Sequence, residues 1–318
     1  MFPQIPSDAS ERPVLVIGAA GVDMVGVLTQ PAEKGKSNLA RNRFSYGGVA
    51  RNVAENLARL GQPVSLITAA GGDHLGKEML EYTRACGVDI SGSLQVQGYS
   101  TASYLAIYDS SGKLEMAVED MEVLRAITPA ILKANAHRFE EASLVFVDAN
   151  LSPAALKTVF SLAKKARIPV CADTTSPALA ERLLPYLSSL FLLTANSAEA
   201  SVLCGHDPEV TERSSALEAA RCLVDRDTEI AIITLAQFGV CYATPEVSGH
   251  VPAVRTKIID PTGAGDALTA SVLFGLTNQI PLDECIRLGV TAASLVLKHK
   301  GTVFPGLSLE RLYDELAL

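Results

Sequence analysis

Asp260-Pro-Thr-Gly-Ala-Gly-Asp266 runs straight into the apolar stretch Ala267-Leu268-Thr269-Ala270-Ser271-Val272-Leu273. A strand-like segment, Val251 to Ile259, precedes it, and a helical pattern follows. The sequence therefore predicts a glycine-bearing turn at a helix N-terminus, with a carboxylate in the first helical turn. Gly263 and Gly265 carry no Cβ, so the backbone there can approach a ligand closely. The free N–H groups of a helix start favour an anion. Donors placed this way can hold the charge that develops on a transferred phosphoryl group. Asp266 beside them can take the proton of an attacking hydroxyl. The same residues also read as a tight turn with Asp266 as an ordinary helix N-cap. The motif alone does not choose between the two.

A second stretch, Tyr46-Gly-Gly-Val-Ala-Arg-Asn-Val-Ala-Glu-Asn-Leu-Ala-Arg-Leu-Gly61, opens with a diglycine and continues as an amphipathic helix. Val49, Val53, Asn56, Leu57 and Leu60 recur at helical spacing, and Gly61 closes the helix. Asn52 lies one turn in. If buried there it needs hydrogen-bond partners, which a substrate hydroxyl or a neighbouring loop can supply equally well.

The rest of the chain sets the frame. It has 318 residues, 48% of them hydrophobic and 19% charged. That is enough for one large α/β domain or two small ones, and it is not the composition of a disordered chain. Net charge is −8 without a basic patch, which argues against nucleic-acid binding. The six cysteines are scattered with no C-x-x-C pair and read as reduced, mostly buried thiols. Residues 1–13 lack an apolar signal region, and no apolar run reaches the roughly 18 residues of a membrane span. The expected location is cytoplasmic.

Short apolar runs at Val14–Gly18, Val64–Ala69, Leu144–Asp148, Val170–Asp173, Leu190–Ala195 and Ile230–Leu235 predict strands. Helical patterns fall between them, at Gly76–Cys86, Pro153–Ala166, Glu199–Leu203 and Ser214–Arg226. Continuous apolar strands separated by helices predict a buried, mostly parallel sheet. Ligands of such sheets sit beyond the carboxyl ends of the strands. Asp148, Asp173, Asn196 and Thr234 fall at those ends, where a turn or a helix cap would also place them. Two regions break the rhythm. Val25 to Phe44 is polar, and Leu94 to Val118 holds a hairpin pattern around Asp109-Ser-Ser-Gly112. Gly18-Ala-Ala-Gly21 does not complete a dinucleotide fingerprint, and no Walker A motif is present.

The two glycine motifs, about 210 residues apart, resemble the paired signatures of the PfkB/ribokinase family of sugar and nucleoside kinases, G-G-x-x-x-N-x-A and D-x-x-G-A-G-D. Val14-Leu-Val-Ile-Gly18 with Asp23, Asn196-Ser-Ala-Glu199 and Ile232–Val240 resemble further segments, though the family usually has glycine where Ala236 stands. The resemblance spans nearly the whole chain. It implies a single ribokinase-like domain over 1–318, doubly wound around a mostly parallel sheet. A small β lid formed by about 25–46 and 94–120 would close over the substrate and form a homodimer face. It implies Asp266 as catalytic base, with Gly263, Ala264 and Gly265 as the anion hole. Asp23, Gly47, Gly48 and Asn52 would bind substrate hydroxyls. Asn196, Thr234 and Gly239 would bind ATP, and Glu199 would position Mg²⁺ through water. Asp260 and Thr262 match positions from which relatives bind K⁺.

Within the family, Glu119-Asp-Met-Glu122, Val147-Asp-Ala-Asn-Leu151 and the first glycine motif resemble the pseudouridine kinases. On that basis Asp120 and Asn150 become candidates for contacts near the sugar or base. The chain departs from that subgroup at Asp173-Thr-Thr-Ser176 with Leu179, which lacks the usual lysine, and at Thr194-Ala-Asn-Ser197. Ribokinase, fructokinase and adenosine-type nucleoside kinase remain alternative substrate classes. A non-catalytic nucleotide or sugar sensor is a more distant reading, disfavoured by the complete site.

Overall fold

The computed structural model describes residues 3–205 and 212–316. In chain order the strands are β1 (Val14–Ile17), β2 (Gly21–Leu28), β3 (Ala40–Gly47), β4 (Val64–Ile67), β5 (Ala69–Gly71), β6 (Leu94–Val96) and β7 (Ser103–Tyr108). They continue as β8 (Leu114–Asp120), β9 (Leu144–Asp148), β10 (Val170–Asp173), β11 (Leu192–Asn196), β12 (Ile230–Thr234), β13 (Val240–Ala243) and β14 (Ser248–Val251). The α-helices are α1 (Val49–Arg59), α2 (His74–Ala85), α3 (Pro129–Ala134), α4 (Ala136–Glu141), α5 (Pro153–Ala166) and α6 (Pro177–Ala180). Then come α7 (Ser197–Cys204), α8 (Arg213–Val224), α9 (Ala264–Thr277), α10 (Leu282–Leu297) and α11 (Leu309–Leu316).

Eight strands form the main sheet in the order β14-β13-β12-β11-β10-β9-β1-β4. All neighbours from β12 to β4 are parallel, and β13 and β14 are antiparallel. β1 and β9 are buried at every position, as strands covered on both faces must be. Alternate residues then feed two cores. Leu15, Ile17, Val145 and Val147 pack with Leu156 and Val159 of α5 and with residues of α7 and α8. Val14, Val16, Leu144 and Phe146 pack with Val53 and Leu57 of α1, Leu268 and Val272 of α9, and Ile286 of α10. The sheet is doubly wound, as expected. Its carboxyl edge gathers Gly18, Asp148, Asp173, Asn196 and Thr234. The six cysteines are free, four of them buried. Among the described residues no helix is long and apolar enough to cross a membrane.

A second sheet of four strands, β3-β2-β7-β8, stands apart from the first. Its hairpin turns at Asp109, whose carboxylate accepts the N–H groups of Ser111 and Lys113. Its boundaries differ from the sequence expectation. It takes in Gly21–Val25, and it leaves out Leu94–Val96, which pairs with β5 instead. The expected strand Val251–Ile259 also differs. The ladder ends at Val251, where Pro252 offers no N–H to continue it. Residues 252–259 continue without regular structure.

Candidate active site

Helix α9 starts at Gly263, which has φ 84 and makes no side-chain cap. A Cβ at Gly263 would collide with the carbonyl oxygen of Thr302, so the turn seats against the 301–302 segment only with glycine there. Asp266 is not the helix cap. Its Oδ2 accepts a hydrogen bond from Asn52 Nδ2 at 2.7 Å. The N–H groups of Gly265 and Asp266 meet no acceptor among the described residues. Ala264 and Gly265 border a cavity of about 580 Å³.

The same cavity is bordered by Asn196, Thr234 and Gly239, the three residues expected to bind nucleotide. Val254 and Ile258, from the segment expected to be a strand, form part of its wall with Val290, Ala293 and Leu297 of α10. The sequence offered no signal for these α10 residues, whose spacing reads only as a buried helix. Asn196 caps α7 by accepting the Glu199 N–H at 3.0 Å. Glu199 is buried; Oε2 accepts from Asn196 N and Thr174 Oγ1, and Oε1 accepts from Asn196 Nδ2. Oε1 thus keeps capacity for one more donor. Among the described residues no three His, Cys, Asp or Glu side chains gather into a metal cage. That donor set suits Mg²⁺ carried on phosphates and held through water.

Asn52 is oriented from behind. Arg51, fully buried, donates from Nη2 to Asn52 Oδ1 at 2.5 Å. The oxygen of the Asn52 amide therefore faces Arg51 and its NH₂ faces Asp266. Arg51 also holds Glu55 Oε2, the carbonyls of Tyr46 and Gly47, and Thr302 Oγ1. All three nitrogens of this guanidinium donate, and Glu55 supplies the opposite charge that a buried cation requires. Nothing in the sequence beyond its place in the glycine motif distinguishes Arg51.

Four carboxylates surround this point. Burial pushes the Asp266 carboxyl up to about 7, opposed by the Asn52 hydrogen bond and assisted by the negative charges of Asp23 and Asp148. Burial likewise raises Asp23 to about 6, with Arg51 and Arg43 opposing. Asp173 is pushed well above the usual carboxylate range by burial and by the neighbouring Glu199 and Asp266 charges. Asp148 is raised by burial alone, while accepting N–H bonds from Ala19 at 2.7 Å, Ala50 at 3.1 Å and Asn150 at 3.0 Å. A carboxyl tuned near neutrality beside open anion donors can serve as a general base.

Asn52 is hydrogen-bonded to Asp266, and the Asp23 charge acts on it. Asp23 lies on β2 against Gly47 at the end of β3, and Gly48 starts α1 with φ 91. Asn150 stands at the end of β9, beside Asp148. Asp120 is different. It pairs with Ser103, one row away from the Ser45, Asp23, Tyr104, Glu119 row. Its carboxylate accepts the Glu122 N–H at 3.1 Å. Glu119, not Asp120, shares the Asp23 face of the small sheet. At Asp260, Oδ1 accepts the Thr262 N–H at 3.1 Å and Oδ2 meets Arg43 Nη2 at 2.8 Å. Two non-glycine residues near the site have positive φ, Thr175 at 64 and Ala236 at 46. Ala236 is where the sequence departs from the usual glycine, and its backbone shows why glycine suits the turn.

Comparison with known proteins identifies the family. Residues 12–308 match the pfkB family carbohydrate kinase. The pseudouridine kinase of Escherichia coli is 30% identical over 93% of this chain and 94% of its own length. The guanosine-inosine kinase of Exiguobacterium acetylicum is 27% identical over 89% and 94%. The structure of Arabidopsis thaliana ribokinase complexed with ribose and ATP superposes with a TM-score of 0.83 at 21% identity, over 96% of this chain and 99% of that one. The chain belongs to the pfkB family of carbohydrate kinases, phosphotransferases that act on a hydroxyl group of a sugar or nucleoside.

Proposed function

We propose that this kinase transfers the γ-phosphoryl group of ATP to the ribose 5′-hydroxyl of pseudouridine. The observation that carries the reading is one junction. The open N–H groups of α9, the cavity bordered by Asn196, Thr234 and Gly239, and the Asn52-held Asp266 all meet there. ATP would lie in the cavity with its terminal phosphate at Ala264, Gly265 and Asp266. The hydroxyl oxygen attacks the γ-phosphorus, the bond to the β–γ bridging oxygen breaks, and ADP leaves. Asp266 takes the hydroxyl proton, and the α9 donors hold charge on the transferring oxygens. Mg²⁺, when bound, neutralises the phosphate charges. Glu199 and Asn196 would orient its waters. Asp23, Gly47, Gly48 and Asn52 would fix the ribose, and Asn150 would lie near its base.

Pseudouridine as acceptor is supported by the relative named above and by the Asp148-Ala-Asn-Leu151 strand end. For the base contact from the small sheet, the strand rows favour Glu119 and Tyr104 over Asp120. The small sheet would act as the lid, expelling water that would otherwise hydrolyse ATP. Its other face exposes Met24, Phe44, Leu105 and Val118 in one cross-strand row, which suits a homodimer. Light scattering would read about twice the chain mass if that is right, and the monomer mass if not.

The test is ATP consumption with Mg²⁺ against pseudouridine, uridine, adenosine, inosine, ribose and fructose. Preference for pseudouridine by kcat/KM is the expected result. Preference for a free sugar or a purine nucleoside would overturn the substrate while leaving the chemistry intact.

A further inference from the structure

We propose that Arg43 is the built-in cation of the Asp260–Gly265 turn, so that this kinase orders its phosphate-facing turn without a bound monovalent metal ion. The inference rests on the reading of that turn as the anion hole.

The Asp260 carboxylate is almost fully buried, with 2% of its side chain exposed. A buried carboxylate needs a cation or several donors, and Asp260 has both. Arg43 Nη2 lies 2.8 Å from Oδ2, the Gly301 N–H lies 3.4 Å from Oδ2, and the Thr262 N–H lies 3.1 Å from Oδ1. Every one of these partners is a donor. An alkali cation needs oxygen lone pairs facing it and a negative charge left to neutralise. Asp260 offers a charge already neutralised, and Thr262 turns its N–H toward it. The residues at this place therefore fit a guanidinium rather than K⁺.

The position of Arg43 gives the pair a second consequence. Arg43 lies on β3, opposite Val25, on the same sheet face as Asp23 and Ser45. Its charge reaches Asp23 as well as Asp260. One side chain of the small sheet thus joins the substrate-side carboxylate to the turn that starts α9. An ion held by the turn itself could not make that connection. Arg43 is a positioning residue: it acts on phosphoryl transfer through Asp260 and the turn, not by touching the phosphate.

The experiment compares wild type, Arg43→Met and Arg43→Lys in about 0.1 M KCl and in tetramethylammonium chloride of equal ionic strength, so that screening is constant. Melting temperature, MgATP affinity by calorimetry and turnover are read together. For wild type we expect all three to agree between the salts, within about twofold for affinity and turnover. Arg43→Met should bind MgATP about tenfold or more weakly in tetramethylammonium, and K⁺ should restore part of that loss by occupying the bared Asp260. Arg43→Lys should keep most of the affinity. The proposal is overturned if K⁺ tightens MgATP binding by wild type several-fold, or if Arg43→Met matches wild type in both salts. It is also overturned if Arg43→Met is impaired but K⁺ restores nothing. Should the protein bind no MgATP at all, the anion-hole reading fails instead, and melting of Arg43→Met with and without K⁺ still decides whether Arg43 is the cation of Asp260.

Discussion

Helices α1 and α9 begin alike and end up as opposites. Each starts at a glycine with positive φ, Gly48 at 91 and Gly263 at 84, and neither has a side-chain cap. At α1 the donors of the second, third and fourth residues are taken by protein. Ala50 donates to Asp148 Oδ2, Arg51 to the Ala19 carbonyl and Asn52 to the Gly48 carbonyl. At α9 the N–H groups of Gly265 and Asp266 are left open beside a large cavity. A glycine-led helix start becomes an anion site only when no carboxylate of the protein has filled it already. Asp148 closes one start and so makes α1 a rigid carrier for Asn52. The other start stays open for the phosphate.

Breaking the chemistry of the open start should have the largest effect. Asp266→Asn is expected to lower kcat by about a thousandfold or more while MgATP affinity stays near wild type, as measured by steady-state kinetics and calorimetry. Near-normal turnover would remove Asp266 as base. Closing the open start comes next. Gly263→Ala places a methyl against the Thr302 carbonyl and should cost about a hundredfold in kcat. Urea titration must show the fold retained for that loss to count against the turn. Opening the closed start should act on stability instead. Asp148→Ala strands two buried N–H groups and one half-buried one, and should cost about 3 kcal/mol in chemical denaturation.

These helix starts also show what the sequence made legible. Both glycine motifs, the Asn52 and Asp266 positions, and the strand ends at Asp148, Asp173, Asn196 and Thr234 could be read locally, because turn chemistry and strand period act over a few residues. What made one start open and the other closed could not. The Asp148–Ala50 and Arg43–Asp260 contacts join residues far apart in the chain, and no local pattern encodes them. Asp120 illustrates a finer limit. A strand turns each successive side chain to the other face, so a register uncertain by one residue exchanges Asp120 for Glu119. The Val251–Ile259 segment is apolar because it walls the cavity with Val254 and Ile258, not because it extends the sheet.

Smaller effects sharpen the contrast. With the Asp266 carboxyl raised to about 7 in the fold, from 3.8 unperturbed, kcat/KM should fall as pH drops below about 7. The stability sign is opposite. The protonated form is favoured by the fold, so its contribution is full below about pH 4 and is lost as pH rises through about 7. Asp266→Asn should then be more stable than wild type at pH 8, on the order of 1 kcal/mol, and the gap should shrink at pH 5. Ala236→Gly should gain about 1 kcal/mol by relieving its left-handed backbone, read as a rise in melting temperature.

The most direct measurement is amide hydrogen exchange, resolved by residue, with and without MgADP–aluminium fluoride. The account predicts that Gly265 and Asp266 exchange quickly in the free protein and slow by about tenfold or more with the phosphoryl mimic, while Ala50 and Arg51 are slow in both. Slow exchange at Gly265 and Asp266 before ligand, or no change on adding it, would contradict the assignment of the anion hole to α9.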